Sequence, residues 1–453
     1  WSYIMNQVQH PDPASTYGGA GTVGYLGPIK VPGVEAEPTQ PIAITGATGT
    51  FFGECPYPET SAAQQSNLAS PWIVYKGLFQ KLQYTEIIRS GQKVNGKTFA
   101  ELLDVNGKTM PHSSQLGSVA TITGMDESTK SSTTGYDDAI GAASKTKVSN
   151  MEDFVSLLKT RNKATPNTLW AAVHLEDKPA NIQIVRLKQS PGTGILNPDK
   201  IFNSDFSADN GLIATCAGSV SPWNTHLGGE EWGVPDSLKW DSNTAGAFTD
   251  AKDLGSDILS LRHLGLHDDN LAAIKAAWTP YMHRWVNEVS IDDSATSGSG
   301  SISTPTITAT KHYSMGRYSI ELPYCIGDFP QVCYITDDSN TGVAAMFVPD
   351  KANDLSAGTL YAMKVTQTSE KSVGGGMFDV EWVDLGHAND AEIKTLATTK
   401  QDYGDGITRY IQFTDMFEIG TKTAGASGDY DFTCASGFKA TVVSGGAMCL
   451  KLK

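Results

Sequence analysis

Short apolar runs separated by turn residues recur along most of the chain. TLWAAVHLE and NIQIVRLKQ, between 168 and 189, predict a β-hairpin. GLIATCAG at 211–218 predicts a strand that enters a turn, and WIVYKGLF at 72–79 predicts an earlier strand. Runs of this length, with turn residues between them, are typical of all-β folds.

Five further strand candidates follow one another in the last third of the chain. They are YSIEL (318–322), VCYIT (332–336), AAMFVP (344–349), TLYAMKV (359–365) and FDVEWVDL (378–385). This rhythm is typical of β-propeller blades, although no strict sequence repeat accompanies it. The pattern therefore predicts an all-β fold, and its rhythm favours a β-propeller.

Small helical insertions interrupt this pattern. NMEDFVSLLKT at 150–160 predicts a short helix with Asn150 as N-cap, and Leu and Ala at helical spacing predict another over 252–279. The predicted organisation is an extended N-terminal arm at 1–70 and a propeller domain at 71–453, with insertions near 112–150 and 235–308.

Composition narrows the possible partners. Of 453 residues, 49 are Asp or Glu and 34 are Lys or Arg, which gives a net charge of −15. Such a chain repels nucleic acid and anionic lipid, because phosphate binding depends on Lys and Arg. It can instead concentrate divalent cations. The sequence contains no apolar run of 18 residues, so no transmembrane helix is predicted.

Six cysteines allow disulfides in an oxidising compartment. Cys325 with Cys333, and Cys434 with Cys449, are spaced as pairs that close hairpins. Cys216 has no such neighbour in the sequence.

Two other motifs suggest different functions. IAITGATGTFFG at 42–53 is similar to the nucleotide-binding turn of a nicotinamide oxidoreductase, but Pro56 and Pro58 occupy the place of the helix that such a turn needs. His263 and His267 could hold a metal on one helix face. An ordinary helical turn is the favoured interpretation of that pair.

The first group of candidate functional residues lies at 205–233. Cys216 is followed by the adjacent pair Glu230 and Glu231. Neighbouring carboxylates repel each other, so they lie in solvent or share a cation. A solvated pair is the commoner case when such a motif stands alone.

A second candidate group lies at 311–338. Glu321 belongs to one strand candidate, and Asp337 and Asp338 end the next. Ends of strands are the usual places for binding groups on a β scaffold. Each residue alone could equally be an ordinary turn carboxylate.

Together these stretches resemble the PhoX family of secreted alkaline phosphatases. The motifs that carry the resemblance are CAGSVSPWNTHLGGEEW, KHYSMGRYSIE, VCYITDDSN, AMFVPDKANDLSAGTLYAMKV and LGHANDAEI, in the family's order, over roughly residues 165–395. Several independent motifs in order make this a specific match.

The resemblance implies a propeller, six-bladed in the complete protein, whose channel holds iron and calcium and hydrolyses phosphate monoesters. Cys216 would be the iron ligand, and Glu230, Glu231 and Glu321 would be carboxylate ligands. Asp337 or Asp338 would complete the set. A secreted, periplasmic or cell-surface location is also implied. Thiolate suits iron and carboxylate suits calcium, so the residue types agree.

The chain departs from the family in two places. Ile320 stands where the family usually has a histidine. A later family block, which adds ligands and a phosphate-binding arginine, has no counterpart after residue 395. Three alternatives remain open: a second chain completes the propeller, the remainder lies outside this sequence, or this relative has lost it. The competing function is a non-catalytic, calcium-binding propeller subunit of a cell-surface or filamentous assembly.

Overall fold

The computed structural model describes residues 50–52, 72–75, 78–81, 85–104, 107, 148–149, 151–251, 253–254, 270–295, 304–327, 331–339, 342–370, 376–424, 432–443 and 446–453. The chain divides into two compact units, Trp1–Glu86 and Ile87–Lys453. His263 and His267 lie outside the described residues, as does most of the predicted arm and of the predicted insertion at 112–150.

The described residues of the first unit form a small antiparallel sheet. Its strands are β1 (Thr50–Phe52), β2 (Trp72–Tyr75) and β3 (Leu78–Lys81), paired in that order. The strand predicted at 72–79 is thus two strands of a hairpin, with Tyr75 opposite Leu78. The GATG residues 46–49 lie outside the described residues. β1 follows them directly and pairs antiparallel with β2, whereas a dinucleotide-binding unit needs parallel strands.

Three antiparallel sheets in strict sequence order make up most of the second unit. The first sheet holds β6 (Glu152–Lys159), β7 (Thr168–Leu175), β8 (Asn181–Gln189) and β9 (Leu196–Asn203). The second holds β10 (Thr215–Val220), β11 (His226–Glu230), β12 (Val286–Asp292) and β13 (Thr306–His312). The third holds β14 (Ile320–Ile326), β15 (Val332–Asp337), β16 (Ala344–Lys351), β17 (Asp354–Gln367) and β18 (Phe378–Asn389).

Smaller elements complete the described part of this unit. The short strands are β4 (Lys93–Val94), β5 (Lys97–Thr98), β19 (Gln401–Asp402), β20 (Thr408–Arg409), β21 (Phe417–Gly420), β22 (Lys422–Ala424), β23 (Phe432–Cys434), β24 (Lys439–Val443) and β25 (Gly446–Leu452). The helices are α1 (Ser237–Trp240), α2 (Leu271–Ala277), α3 (Asp390–Thr398) and α4 (Phe413–Met416). No helix in the described ranges is long and apolar enough to cross a membrane.

The all-β class predicted from the sequence is confirmed, because consecutive four- and five-stranded meanders have the form of propeller blades. The hairpin at 168–189 and the five strands from YSIEL to FDVEWVDL are also confirmed. Both predicted disulfides, Cys325–Cys333 and Cys434–Cys449, are present. Within 252–279, the described helix is only α2.

The helix predicted over 150–160 is wrong, because these residues form β6. Val155 and Leu157 are exposed while Ser156 and Leu158 are buried, which is the two-residue period of a strand. The four apolar residues of FVSLL fit helical spacing as well, and pairing with β7 decides the outcome.

Apolar cores lie on both sides of the second sheet. Trp170, Ile184 and Val289 belong to the cluster between the first and second sheets. Leu227 and Phe347 belong to the cluster between the second and third. Burying one such side chain is worth about 1.5–3 kcal/mol, so these clusters fix how neighbouring sheets stack.

The first strand of each large sheet lies beside the first strand of the next. β10 contacts both β6 and β14. The start of each first strand pairs with the end of the second strand of the same sheet. The stacking therefore brings three strand starts and three strand ends to one place.

An ion cluster ties the second sheet to α3. His312, at the end of β13, lies 2.9 Å from Glu288 and 3.0 Å from Asp390. Burial alone would lower the pKa of His312, but Asp390 and Glu288 together raise it to about 9. Asp354 of β17 also lies within electrostatic range. The protonated form is therefore the one that the fold stabilises.

We predict that this contribution to stability is complete below the unfolded pKa of 6.5 and is lost as pH rises through about 9. The shift corresponds to roughly 3 kcal/mol. The check is the free energy of unfolding of the natural protein minus that of His312→Gln, measured from pH 6 to 10. A difference that stays constant over this range would contradict the prediction.

Candidate metal centre

Five side chains that can ligate metal converge where the three sheets meet. They form two overlapping groups, Asp153 with Glu176 and Cys216, and Cys216 with Glu231 and Glu321. Within each group one ligand atom per residue lies within 4.8 Å of the others. Cys216 is shared by both groups, so its thiol stands between two sets of carboxylates.

The same local arrangement occurs in all three sheets. Glu152 pairs with Leu175, Thr215 with Glu230, and Ile320 with Asp337, and the register shifts directly after each pair. The candidate ligands are the residues that follow on each side: Asp153 and Glu176, Cys216 and Glu231, Glu321 and Asp338. A β-bulge re-aims a side chain, which explains why each first strand directs its ligand to the common centre.

A repeated backbone hydrogen bond closes each of these arrangements. The N–H of Glu176 donates to the carbonyl of Met151, that of Glu231 to Ala214, and that of Asp338 to Ser319. In every case the acceptor lies two residues before the first-strand ligand. Asp338 therefore holds the position in the third sheet that Glu231 holds in the second, and its side chain contacts that of Glu231.

Two hydrogen bonds orient side chains of the centre. The Cys216 thiol donates to Oε2 of Glu321 at 3.3 Å. The indole N–H of Trp232 donates to Oε1 of Glu176. These bonds aim the thiol and one carboxylate before any ion binds.

The electrostatics of the centre fit a cation. Burial, and then repulsion from Glu321 and Glu176, raises the pKa of Glu231 to about 7. The pKa values of Asp153, Glu176 and Glu321 are also raised, mainly by burial. Burial and the surrounding carboxylates raise the pKa of the Cys216 thiol. A divalent cation would relieve this repulsion and let all five groups ionise.

Three of the predicted ligands, Glu230, Asp337 and Asp338, lie outside both groups. Glu230 is fully buried and ion-paired with Lys311 at 3.0 Å and with His283 at 2.9 Å. Burial alone would raise the pKa of Glu230, but Lys311 and His283 lower it to about 2. Asp337 accepts from the N–H of Val343 at 3.3 Å and from the Ser339 hydroxyl at 3.4 Å.

Ile320 has a structural explanation. Its side chain is fully buried in the cluster between the second and third sheets. It fills the space above Gly229, where a Cβ atom would collide with it. The residue that replaces the family's histidine is therefore part of the apolar core.

Sequence reasoning missed Asp153 and Glu176. Asp153 lies inside the segment predicted as a helix, and Glu176 lies at the end of a predicted strand. The available signal was the recurrence of a polar ligand early in a first strand and an acidic residue just after the second strand, as in Cys216 and Glu231.

A pair of histidines lies below the centre. His174 of β7 and His226 of β11 are both fully buried, with 2.6 Å between their Nε2 atoms. Burial lowers the pKa of His174 to about 4 and lowers that of His226 as well. Both rings are therefore neutral at physiological pH.

The fold and the centre define an all-β protein with a cysteine–carboxylate cluster, a candidate cation site, at the junction of its sheets. Residues 177–435 match the profile of the family described as alkaline phosphatase PhoX, and this is more than half of the chain. The chain belongs to the PhoX alkaline phosphatase family. Membership confirms the family recognised from the motifs and agrees with the propeller-type fold.

Among solved structures, the chain is similar to PhoX of Pseudomonas fluorescens in complex with vanadate, a transition state analogue. The identity is 15%, the TM-score is 0.36, and the match covers 64% of this chain and 58% of that one. The chain thus spans less than two thirds of that relative's length. No curated protein sequence matches the chain.

Proposed function

We propose that this chain carries out metal-dependent hydrolysis of phosphate monoesters, with calcium and iron held by the centre described above. The observation that carries the proposal is the convergence of Asp153, Glu176, Cys216, Glu231 and Glu321 from three sheets, in a chain of this family. Asp338 joins this set by its equivalent position.

The chemical types of the ligand atoms favour particular ions. Cys216 supplies a thiolate, which suits iron, and the carboxylates around it suit calcium. When bound, such ions neutralise a phosphoryl group and stabilise the charge that develops during its transfer.

The residues of the chain also explain why cations are required. A phosphate monoester is anionic, and an ion-free cluster of four carboxylates would repel it. Trp232 fixes Glu176 and the thiol fixes Glu321, so the ligands are oriented before substrate arrives. Oriented ligands lose little conformational entropy on binding, which favours tight ion binding.

We place the protein outside the cytoplasm: secreted, periplasmic or on the cell surface. Two disulfides support this, because such bonds persist in oxidising compartments.

We further propose that a second chain completes the propeller. One face of the third sheet packs on the second sheet, whereas Tyr324 and Tyr334 of its other face are exposed. The Trp382 ring lies 6.0 Å from that of Tyr334 on this face. Since each preceding sheet in the series is covered by the next, a further sheet would continue the stacking, and a second polypeptide or a second copy of this chain could supply it.

The test of the proposed function is turnover of p-nitrophenyl phosphate, measured with metal analysis and intact-mass analysis of the purified protein. We expect iron, calcium and turnover, with turnover lost on chelation and in Cys216→Ala and Glu321→Gln. The matched control is Glu381→Gln, which changes an exposed carboxylate in the same sheet. The mass spectrum shows whether a second chain or a second copy accompanies the protein.

Calcium without iron and without turnover would overturn the catalytic proposal. It would leave a calcium-binding propeller subunit as the remaining function.

A further inference from the structure

We propose that His174, held in place by His226 and Ser156, is a positioning residue that fixes the bulged backbone carrying Cys216. The inference rests on the proposed function, because the thiol of Cys216 is a ligand of that centre. It assigns a role to buried imidazoles that contact no candidate ligand side chain of the centre in the described part of the chain.

The backbone at Cys216 needs such a fixing group. β10 pairs Thr215 with Glu230 and next pairs Gly218 with Gly228, so Cys216 and Ala217 together face only one residue of β11. A bulge of this kind disrupts the ladder locally. The carbonyl oxygen of Cys216 is instead bonded by Nδ1 of His174.

The directions of the hydrogen bonds follow by elimination. A carbonyl only accepts, so His174 carries its proton on Nδ1 and its Nε2 is an acceptor. His226 must then donate from its own Nε2, across 2.6 Å. Its Nδ1 is left as an acceptor for the Ser156 hydroxyl at 2.8 Å. Three bonds in one direction thus connect β6, β11, β7 and β10.

The pocket is shaped around the two rings. Phe154 lies 6.2 Å from the His174 ring and 6.1 Å from the His226 ring, measured between centroids. Gly228 faces His174, and a Cβ atom there would collide with the imidazole. His174 can therefore neither swing away nor be replaced by a larger group without moving Cys216.

If the two imidazoles only filled space in the core, apolar side chains of the same volume would serve equally well. The chain of donors ends on a backbone atom of the shared ligand, and Gly228 removes a side chain to make room for it. Fixing the carbonyl of Cys216 fixes the direction of its Cα–Cβ bond, and so the position of Sγ relative to Glu231 and Glu321. Groups that orient ligands in this way typically contribute 10–100-fold to metal affinity.

The test uses cobalt(II) added to the metal-free full chain, with the thiolate-to-cobalt charge-transfer absorption as the signal and Cys216→Ala as the blank. His174→Leu fills a volume close to that of the imidazole and removes the donor, and we expect it to weaken cobalt affinity about 10–100-fold and to reduce the thiolate band. His174→Asn places an amide N–H near Nδ1 and should recover most of the band. Ser156→Ala, at the far end of the chain of bonds, should weaken it less.

A second signal does not depend on metal. In a Cys55→Ser background the remaining thiol is Cys216, because the other four cysteines form disulfides. We expect His174→Leu to raise its alkylation rate several-fold, and His174→Asn to leave it near that of the parent.

The two failures can be told apart. A natural protein whose cobalt spectrum equals that of Cys216→Ala removes the proposed centre. A normal thiolate band together with an unchanged alkylation rate in folded His174→Leu overturns the positioning role alone.

Discussion

Glu230→Gln will unfold at a much lower temperature than the natural protein, whereas Glu231→Gln, one residue later, will not. Glu230 accepts hydrogen bonds from the backbone N–H groups of Ile213 at 3.0 Å and Arg284 at 3.0 Å, besides its contacts with Lys311 and His283. Removing its charge leaves the fully buried ammonium of Lys311 without its salt-bridge partner. Breaking a buried pair in this way costs about 3–5 kcal/mol.

Glu231 behaves differently because it is half-buried among other carboxylates. Its neutral amide removes repulsion in the metal-free protein, so we expect unchanged or slightly higher thermal stability there. Calorimetry of both variants with and without calcium makes the comparison. Equal unfolding temperatures in the metal-free state would contradict the separate roles of the two glutamates.

Asp153→Asn and Glu176→Gln will lose bound metal as severely as Glu321→Gln. These residues belong to the group of ligand atoms that shares Cys216 with the other group. Since replacing even outer groups around a metal costs about 10–100-fold in affinity, loss of a direct ligand should cost at least that much. Phosphatase turnover should fall with the metal content.

Glu152→Gln provides the matched control for Asp153→Asn. Glu152 is the preceding residue on β6, and its Oε1 is bonded by Ser90 away from the cluster. Metal content measured by mass spectrometry should be normal in this variant. Retention of full metal content in Asp153→Asn would restrict the centre to the residues around Glu231 and Glu321.

The strand rhythm could be predicted from the sequence, because it is local. Cys216, Glu231 and Glu321 were proposed as ligands through the resemblance to the PhoX family, and they converge in the structure. The secondary structure around Asp153 could not be predicted from the sequence, because the spacing of apolar residues in FVSLL fits either a helix or a strand. Only its pairing with β7 distinguishes the two.

The separate roles of Glu230 and Glu231 could not be predicted from the sequence either. Neighbouring residues of a strand point to opposite faces, so one of the two had to face away from the centre. The register of β11 against β10 and β12 determines which of the two glutamates faces the centre. That register is set by contacts distant in sequence. The stacking that brings three sheets to one point is equally non-local.

The position of the centre at the meeting point of three sheets has a consequence for folding. The sheets are joined by packed side chains and by bonds such as that from the Ser219 hydroxyl to the carbonyl of Pro323, 2.6 Å long. An ion held by residues of all three is an additional cross-link, present only when every sheet is in place. At 100 times its dissociation constant such an ion adds about 2.7 kcal/mol to the free energy of unfolding. If that ion is calcium, as proposed, the durability of the protein would follow the calcium concentration of its surroundings, and the last step of folding would be the uptake of an ion rather than the formation of a contact.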